Sequence, residues 1–255
     1  RLSHARWYQR RHFFSDERAN TLEDQVLQPI QNAVEMGMTL PALEARLGAE
    51  PFYVDLFTQV FGTPGVTSDR ISKALAQFVR SIISVNSRFD TARTTNFVVG
   101  ANWTQSEERG RQLFNAPGSC SACHRTDNFV PDVNIFNNGL ERLDLPNVDL
   151  GKGAITGVPT DNGKFKVGSL RNIELTAPYM HDGRFATLEA VVDFYSNQVV
   201  DNANLSPPLR TPGGGVRRPN FSAQEKADLV NFMKSLTDTS LASNPKYSDP
   251  FNYGY

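Results

Sequence analysis

Along most of this chain the apolar residues recur at helical spacing. Near the C-terminal end Leu229, Phe232, Met233 and Leu236 stand at i, i+3, i+4 and i+7, the buried stripe of an amphipathic helix. Ser222-Ala-Gln-Glu225 ahead of it is a capping box, in which serine and glutamate side chains answer amides that a first helical turn leaves unpaired. Thr104-Gln-Ser-Glu107 is a second capping box and predicts a helix running through Leu113 and Phe114. Gly110 inside that helix costs about 1 kcal/mol of propensity relative to Ala, so its presence predicts a close crossing with another helix. Leu188, Val191, Val192 and Tyr195 form a third stripe after Thr187. Residues 125–168 are rich in Asn, Asp, Gly and Pro without periodicity and read as loops. Gly213-Gly214-Gly215 reads as a turn and 240–255 as a surface tail.

Two segments echo each other. Asp16–Val26 placed over Asp182–Val192 matches at Asp, Arg, Thr, Leu, Glu and Val, all at an offset of 166. Leu75, Phe78 and Ser81 match Leu229, Phe232 and Ser235 at an offset of 154. Thr-Leu-Glu alone is a common helix start, but two ordered echoes together point to a duplicated domain. The expected division is 1–97 and 98–255.

Composition narrows the function. With 26 basic and 27 acidic residues the net charge is −1, so no global field draws the chain to nucleic acid or an anionic membrane. No apolar run reaches 18 residues, the length a membrane span needs. Residue 1 is Arg, with no start Met or signal peptide, which is expected of a mature form or a fragment.

The chemistry lies in the two cysteines. Cys120-Ser-Ala-Cys123 is followed at once by His124. C-x-x-C-H is the c-type haem attachment signal: each thiol forms a thioether with a haem vinyl group, and the adjacent imidazole becomes the proximal iron ligand. A thioredoxin-like redox pair would need a βαβ setting that the pattern lacks, and a zinc site would need a fourth ligand. A helix before the motif and another at the end suit a small cytochrome c core. If the halves are homologous, the first should own a similar motif upstream of Arg1, either removed or lost.

Several stretches carry a family resemblance: Thr21-Leu-Glu-Asp-Gln-Val-Leu-Gln-Pro-Ile, Val34-Glu-Met-Gly37, Cys120–His124, Ser169-Leu-Arg-Asn172, and Thr176-Ala-Pro-Tyr-Met-His-Asp-Gly183 leading into Thr187-Leu-Glu. Together the chain resembles the di-haem cytochrome c peroxidases, specifically their MauG-like branch. The resemblance implies a mostly α fold of two cytochrome c-like haem domains related by duplication, the first incomplete at its N-terminus. It further implies haem c, a periplasmic address, and calcium bound through the backbone carbonyls of Thr176 and Pro178. Hydrogen peroxide would be the oxidant, and a small electron-donor protein or an oxidisable protein substrate the partner; a homodimer is compatible.

By the same resemblance, His124 is the proximal ligand of the second haem and Tyr195 its distal ligand. Met180 competes with Tyr195, because a thioether is the usual sixth ligand of electron-transfer cytochromes c. Gln25, Pro29 and Glu35 match the peroxide pocket of the first haem. Pro29 overlays Tyr195 in the duplication and cannot bind iron, and Glu35 is placed for general acid–base work. Ser15 stands where the family usually has Trp. Three functions remain open on the residues: a peroxidase or MauG-like oxidase, a mono-haem electron carrier, and an interaction subunit with a relic haem.

Overall fold

The computed structural model describes residues 4–8, 12–130 and 135–251. It is mostly helical and divides into two compact units, Leu2–Ile82 and Ile83–Tyr255. This division precedes the 97/98 boundary expected from the sequence, because residues between the two boundaries pack with the C-terminal unit, where Phe89 and Ala92 enter the core.

In the N-terminal unit, α1 (Leu22–Gln31) begins at a capping box between Thr21 and Asp24. Next come α2 (Leu40–Gly48) and α3 (Pro51–Phe61), a pair the sequence patterning did not announce, and then α4 (Ser68–Ser81). Helix α1 packs on α4, with Leu22, Phe13 and Ala19 against Ala76 and Val79. Glu23 and Arg80 join the two helices in an ion pair of 2.6 Å.

The C-terminal unit contains α5 (Arg88–Thr94), α6 (Gln105–Asn115), α7 (Lys152–Thr156), α8 (Leu188–Asp193) and α9 (Ala223–Lys234). Both capping boxes predicted for α6 and α9 are present. The segment expected as loops also holds an antiparallel ribbon, β1 (Ile135–Phe136) with β2 (Phe165–Lys166), in the register Ile135 to Lys166. The ribbon rests on a pairing distant in sequence, which local composition does not report, while α7 is a short helix packed on the turn that follows it.

Helices α6 and α9 cross where Gly110 stands. A Cβ there would lie 2.6 Å from Asp228 C and 2.8 Å from Phe232 Cβ, so only glycine permits this approach. Asp228, 2 % exposed, locks the crossing: Arg109 Nε and Ser106 Oγ donate to its carboxylate at 2.6 and 2.5 Å. Around it Phe114, Phe129, Phe89 and Phe232 pack with ring centroids 5.0–6.2 Å apart, a range suited to edge-to-face contact.

The first echo is a repeat of geometry. Phe13 and Ala19 pair backbone to backbone, as do Tyr179 and Phe185. Within these loops Arg18 N donates to Asp16 Oδ1 at 3.1 Å and Arg184 N to Asp182 Oδ1 at 3.2 Å. Phe14 and Met180 share a left-handed backbone, at φ +67° and +74°. Each loop feeds a helix capped by threonine, Thr21 or Thr187. The second echo differs in burial. Leu229 and Phe232 are buried beside α6, whereas their counterparts Leu75 and Phe78 are 37 % and 49 % exposed.

Candidate haem site

Five residues past the end of α6, Cys120–Ala122 form a 3₁₀ turn. The amides of Cys123 and His124 both bond to Cys120 O, at 3.1 and 3.0 Å, so one tight turn displays two thiols and an imidazole. Both cysteines are free and half-buried. Burial pushes the Cys120 thiol up and carries Cys123 to about 11, leaving both as neutral thiols at pH 7.

His124 Nδ1 lies 2.7 Å from Phe129 O. A carbonyl only accepts, so Nδ1 carries the proton and Nε2 keeps the lone pair a metal requires. The loop bearing Phe129 is anchored in turn. Ser169 Oγ donates to Asn128 O at 2.6 Å, and Arg171 Nε to Asp127 O at 3.0 Å. The Arg171 fork then grips both Asp90 oxygens at 2.8 Å. The Ser169-Leu-Arg-Asn172 motif thus steadies the carbonyl that orients His124, a role that required the fold to be seen.

Tyr195 sits on a π-helical turn, Phe194–Gln198, that continues α8. Tyr195 is half-buried and its phenol is pushed up to about 12, first by desolvation; the Asn138 hydrogen bond opposes this, while the nearby Cys123 and Cys120 thiols reinforce it. Phenol and thiols therefore lie within electrostatic range of one another. Asn138 Nδ2 donates to Tyr195 Oη at 3.2 Å and also to Met180 Sδ at 3.5 Å, so both candidate distal ligands occupy one place.

The donor set suits a covalently attached haem: two free thiols, an imidazole with its coordinating nitrogen defined, and a phenol. The cradle suits it too. Arg217 Nε is buried without a hydrogen-bond partner, and a Cβ on Gly118 would lie 2.7 Å from the guanidinium carbon. This cation beside the attachment turn complements the anionic edge of a haem, and no motif in the sequence marks it.

In the N-terminal unit Gln25 and Pro29 stand one turn apart on α1, and Gln25 Oε1 is buried without a partner. Glu35 lines an open pocket of about 350 Å³ with Phe14, Arg18, Gln28, Gln31 and Asn32, and its Oε1 accepts from Asn32 Nδ2 at 3.0 Å. Gln25 and Pro29 do not line that pocket. Thr176 precedes the cis Ala177–Pro178 bond. Two carbonyls are short of the six or more oxygens calcium takes, and no cluster of three His, Cys, Asp or Glu able to hold a metal occurs among the described residues.

A family model described as di-haem cytochrome c peroxidase matches residues 2–96. The methylamine utilization protein MauG of Methylophilus methylotrophus is 34 % identical over 229 residues, covering 87 % of this chain and 62 % of its own length. The cytochrome c551 peroxidase of Nitrosomonas europaea is 33 % identical, covering 88 % and 61 %. A solved MauG-like protein associated with microbial copper homeostasis superposes with a TM-score of 0.83 at 32 % identity, over 98 % of this chain and 78 % of that one. The chain belongs to the di-haem cytochrome c peroxidase and MauG-like family.

The diheme peroxidase BthA of Burkholderia thailandensis, TM-score 0.70 at 24 % identity, shares the fold. Membership fits the repeated loop-and-helix geometry of the two units and the single C-x-x-C-H turn. The chain spans about three fifths of the length of the curated family members it matches. No helix among the described residues is long and apolar enough to cross a membrane.

Proposed function

We propose that this chain is part of a peroxide-using c-type haem oxidoreductase. One observation carries the reading. The repeated geometry puts Phe14 where the C-terminal unit has Met180, and the same register puts Pro29 where it has Tyr195. Neither Phe nor Pro can bind iron, so the first site has no donor of its own at the two positions that offer one in the second. A site lacking a sixth ligand admits peroxide, and a site with one passes electrons.

When bound, haem supplies the iron that exchanges electrons with peroxide. Cys120 and Cys123 would hold the second haem through thioethers, His124 Nε2 would bind its iron, Tyr195 Oη would complete it, and Arg217 would meet a propionate. In the first half peroxide would meet Glu35 in its open pocket, which Gln25 does not line. The Glu35 carboxyl would take the proton from one peroxide oxygen and deliver it to the other, while two electrons and two protons complete reduction to two waters. The electrons would come from a small donor protein or an oxidisable protein substrate. A periplasmic address follows the covalent haem chemistry. Calcium at Thr176 and Pro178 would need further oxygens from elsewhere. The matching family model is described as di-haem, and no specific observation favours a mono-haem carrier.

The test is a haem count on the intact natural protein together with a Glu35→Gln variant. Two haems per protein and a Glu35→Gln variant that reacts with peroxide at least tenfold more slowly, with haem content unchanged, are expected. A single haem, or a wild-type rate in the variant, would refute the reading.

A further inference from the structure

The Tyr195 phenol and the Met180 thioether share one donor. A carboxamide NH₂ carries two hydrogens, so Asn138 Nδ2 can serve the Tyr195 oxygen at 3.2 Å and the Met180 sulfur at 3.5 Å together. We propose that Asn138 is a positioning residue for the sixth iron ligand, holding Met180 back as a hydrogen-bond acceptor and presenting the Tyr195 oxygen. This rests on the reading that haem is attached at Cys120 and Cys123 with Tyr195 as its distal ligand.

Asn138 is mounted to do this. Its neighbour Asn137 is 3 % exposed, donates its amide to Ser206 Oγ at 2.9 Å and accepts from Ser206 N at 3.1 Å. The Asn137 side-chain oxygen takes Gly139 N and Asn202 Nδ2, at 2.9 and 3.1 Å. On the other side Val200 N bonds to Gly139 O at 2.8 Å, and the Gly139 backbone is left-handed, at φ +70°, with no room for a Cβ against Val199. Residue 138 is therefore fixed by its neighbours, and its carboxamide nitrogen is directed to Tyr195 and Met180. The two acceptors are anchored independently, Tyr195 on the π-turn and Met180 in the loop closed by Tyr179 and Phe185. Asn138 bridges two preformed positions, which is what selecting between them requires.

A phenol oxygen keeps acceptor capacity beyond one bond to a metal. An N–H donated to it stabilises the phenolate form that binds ferric iron, whereas a sulfur engaged by an N–H has less lone-pair density to offer. Deleting the N–H should weaken Tyr195 as a ligand and release Met180 as a rival.

The test uses haem-loaded protein, read by ferric near-infrared absorption and by potentiometric titration. Wild type should show no sulfur-to-iron charge-transfer band and one reduction wave for this haem. Asn138→Leu should show the band and raise the potential of this haem. Adding Met180→Leu should remove the band and bring the potential back down. Asn138→Asp, which keeps the shape but lacks the N–H, guards against a Leu variant that does not fold and should depart from wild type in the same readouts. A wild-type spectrum and potential in Asn138→Leu or Asn138→Asp, with wild type lacking the band, overturns the role of Asn138 and leaves Tyr195 ligation standing. A band already present in wild type, or haem that is not covalently attached, refutes the underlying reading and the proposal with it.

Discussion

Gly110→Ala sets two physical effects against each other with opposite signs. Helix propensity alone predicts a gain of about 1 kcal/mol, since Ala is the best helix former and Gly among the worst. Packing predicts a loss. The new Cβ would meet Asp228 C at 2.6 Å and Phe232 Cβ at 2.8 Å, and backbone atoms cannot rotate out of the way. Ordinary contact therefore requires α6 and α9 to separate locally by roughly 1 Å, straining the crossing where Arg109 and Ser106 hold Asp228. Overpacking of this kind costs about 3 kcal/mol, the upper end of the usual range, because backbone must give. The net is a destabilisation of about 2 kcal/mol, or a melting midpoint lower by about 4–8 °C. Differential scanning calorimetry of the haem-loaded protein at pH 7 measures it. Gly48→Ala at the end of α2, where a Cβ meets nothing within 4 Å, serves as the control and should be neutral or slightly stabilising. A Gly110→Ala protein that melts at or above wild type would mean that the helices are not in contact at this residue.

Other outcomes follow from the same geometry. Asp228, held near 2 chiefly by the Arg109 hydrogen bond, has a native pKa below the ordinary carboxylate value, so its stabilisation is complete above pH 4 and is lost as pH falls toward 2. Asp228→Asn should therefore lower stability at pH 7 by about 1–2 kcal/mol, discounted because Arg109 is 44 % exposed, and the gap from wild type should close on acidification in calorimetric scans. Tyr195→Phe should open the second haem to azide and shift its ferric spectrum, while Met180→Leu should leave that spectrum unchanged; the reverse pattern would assign the ligand to sulfur. Replacing Cys120 or Cys123 by Ala should reduce the haem that survives acid–acetone extraction, and unchanged retention would place the attachment elsewhere. Arg171→Leu leaves the Asp90 carboxylate without its fork and should cost about 3–5 kcal/mol in chemical unfolding, where a loss under 1 kcal/mol would mean the pair is not formed.

Local signals were enough for the parts of this protein built locally. Capping boxes at Thr104 and Ser222 are four-residue hydrogen-bond patterns, so the starts of α6 and α9 could be read directly. The C-x-x-C-H turn is likewise closed by bonds within five residues, and the sequence fixes its chemistry. Repetition carried the next level: matching residues at Asp16–Leu22 and Asp182–Leu188 produce matching loops because the same side-chain-to-amide bonds recur. Tertiary structure decided what depends on distant partners. Leu75 and Phe78 echo Leu229 and Phe232, yet only the latter are buried, since burial belongs to the helix that packs on them and not to the residue. Asp90 with Arg171, and Asn138 with Tyr195 and Met180, bring together side chains 81, 57 and 42 positions apart. No periodicity spans such distances. The cation beside Gly118 and the donor shared by two candidate ligands arise only when segments distant in the chain meet, where hydrogen-bonding groups removed from water must find partners within the protein.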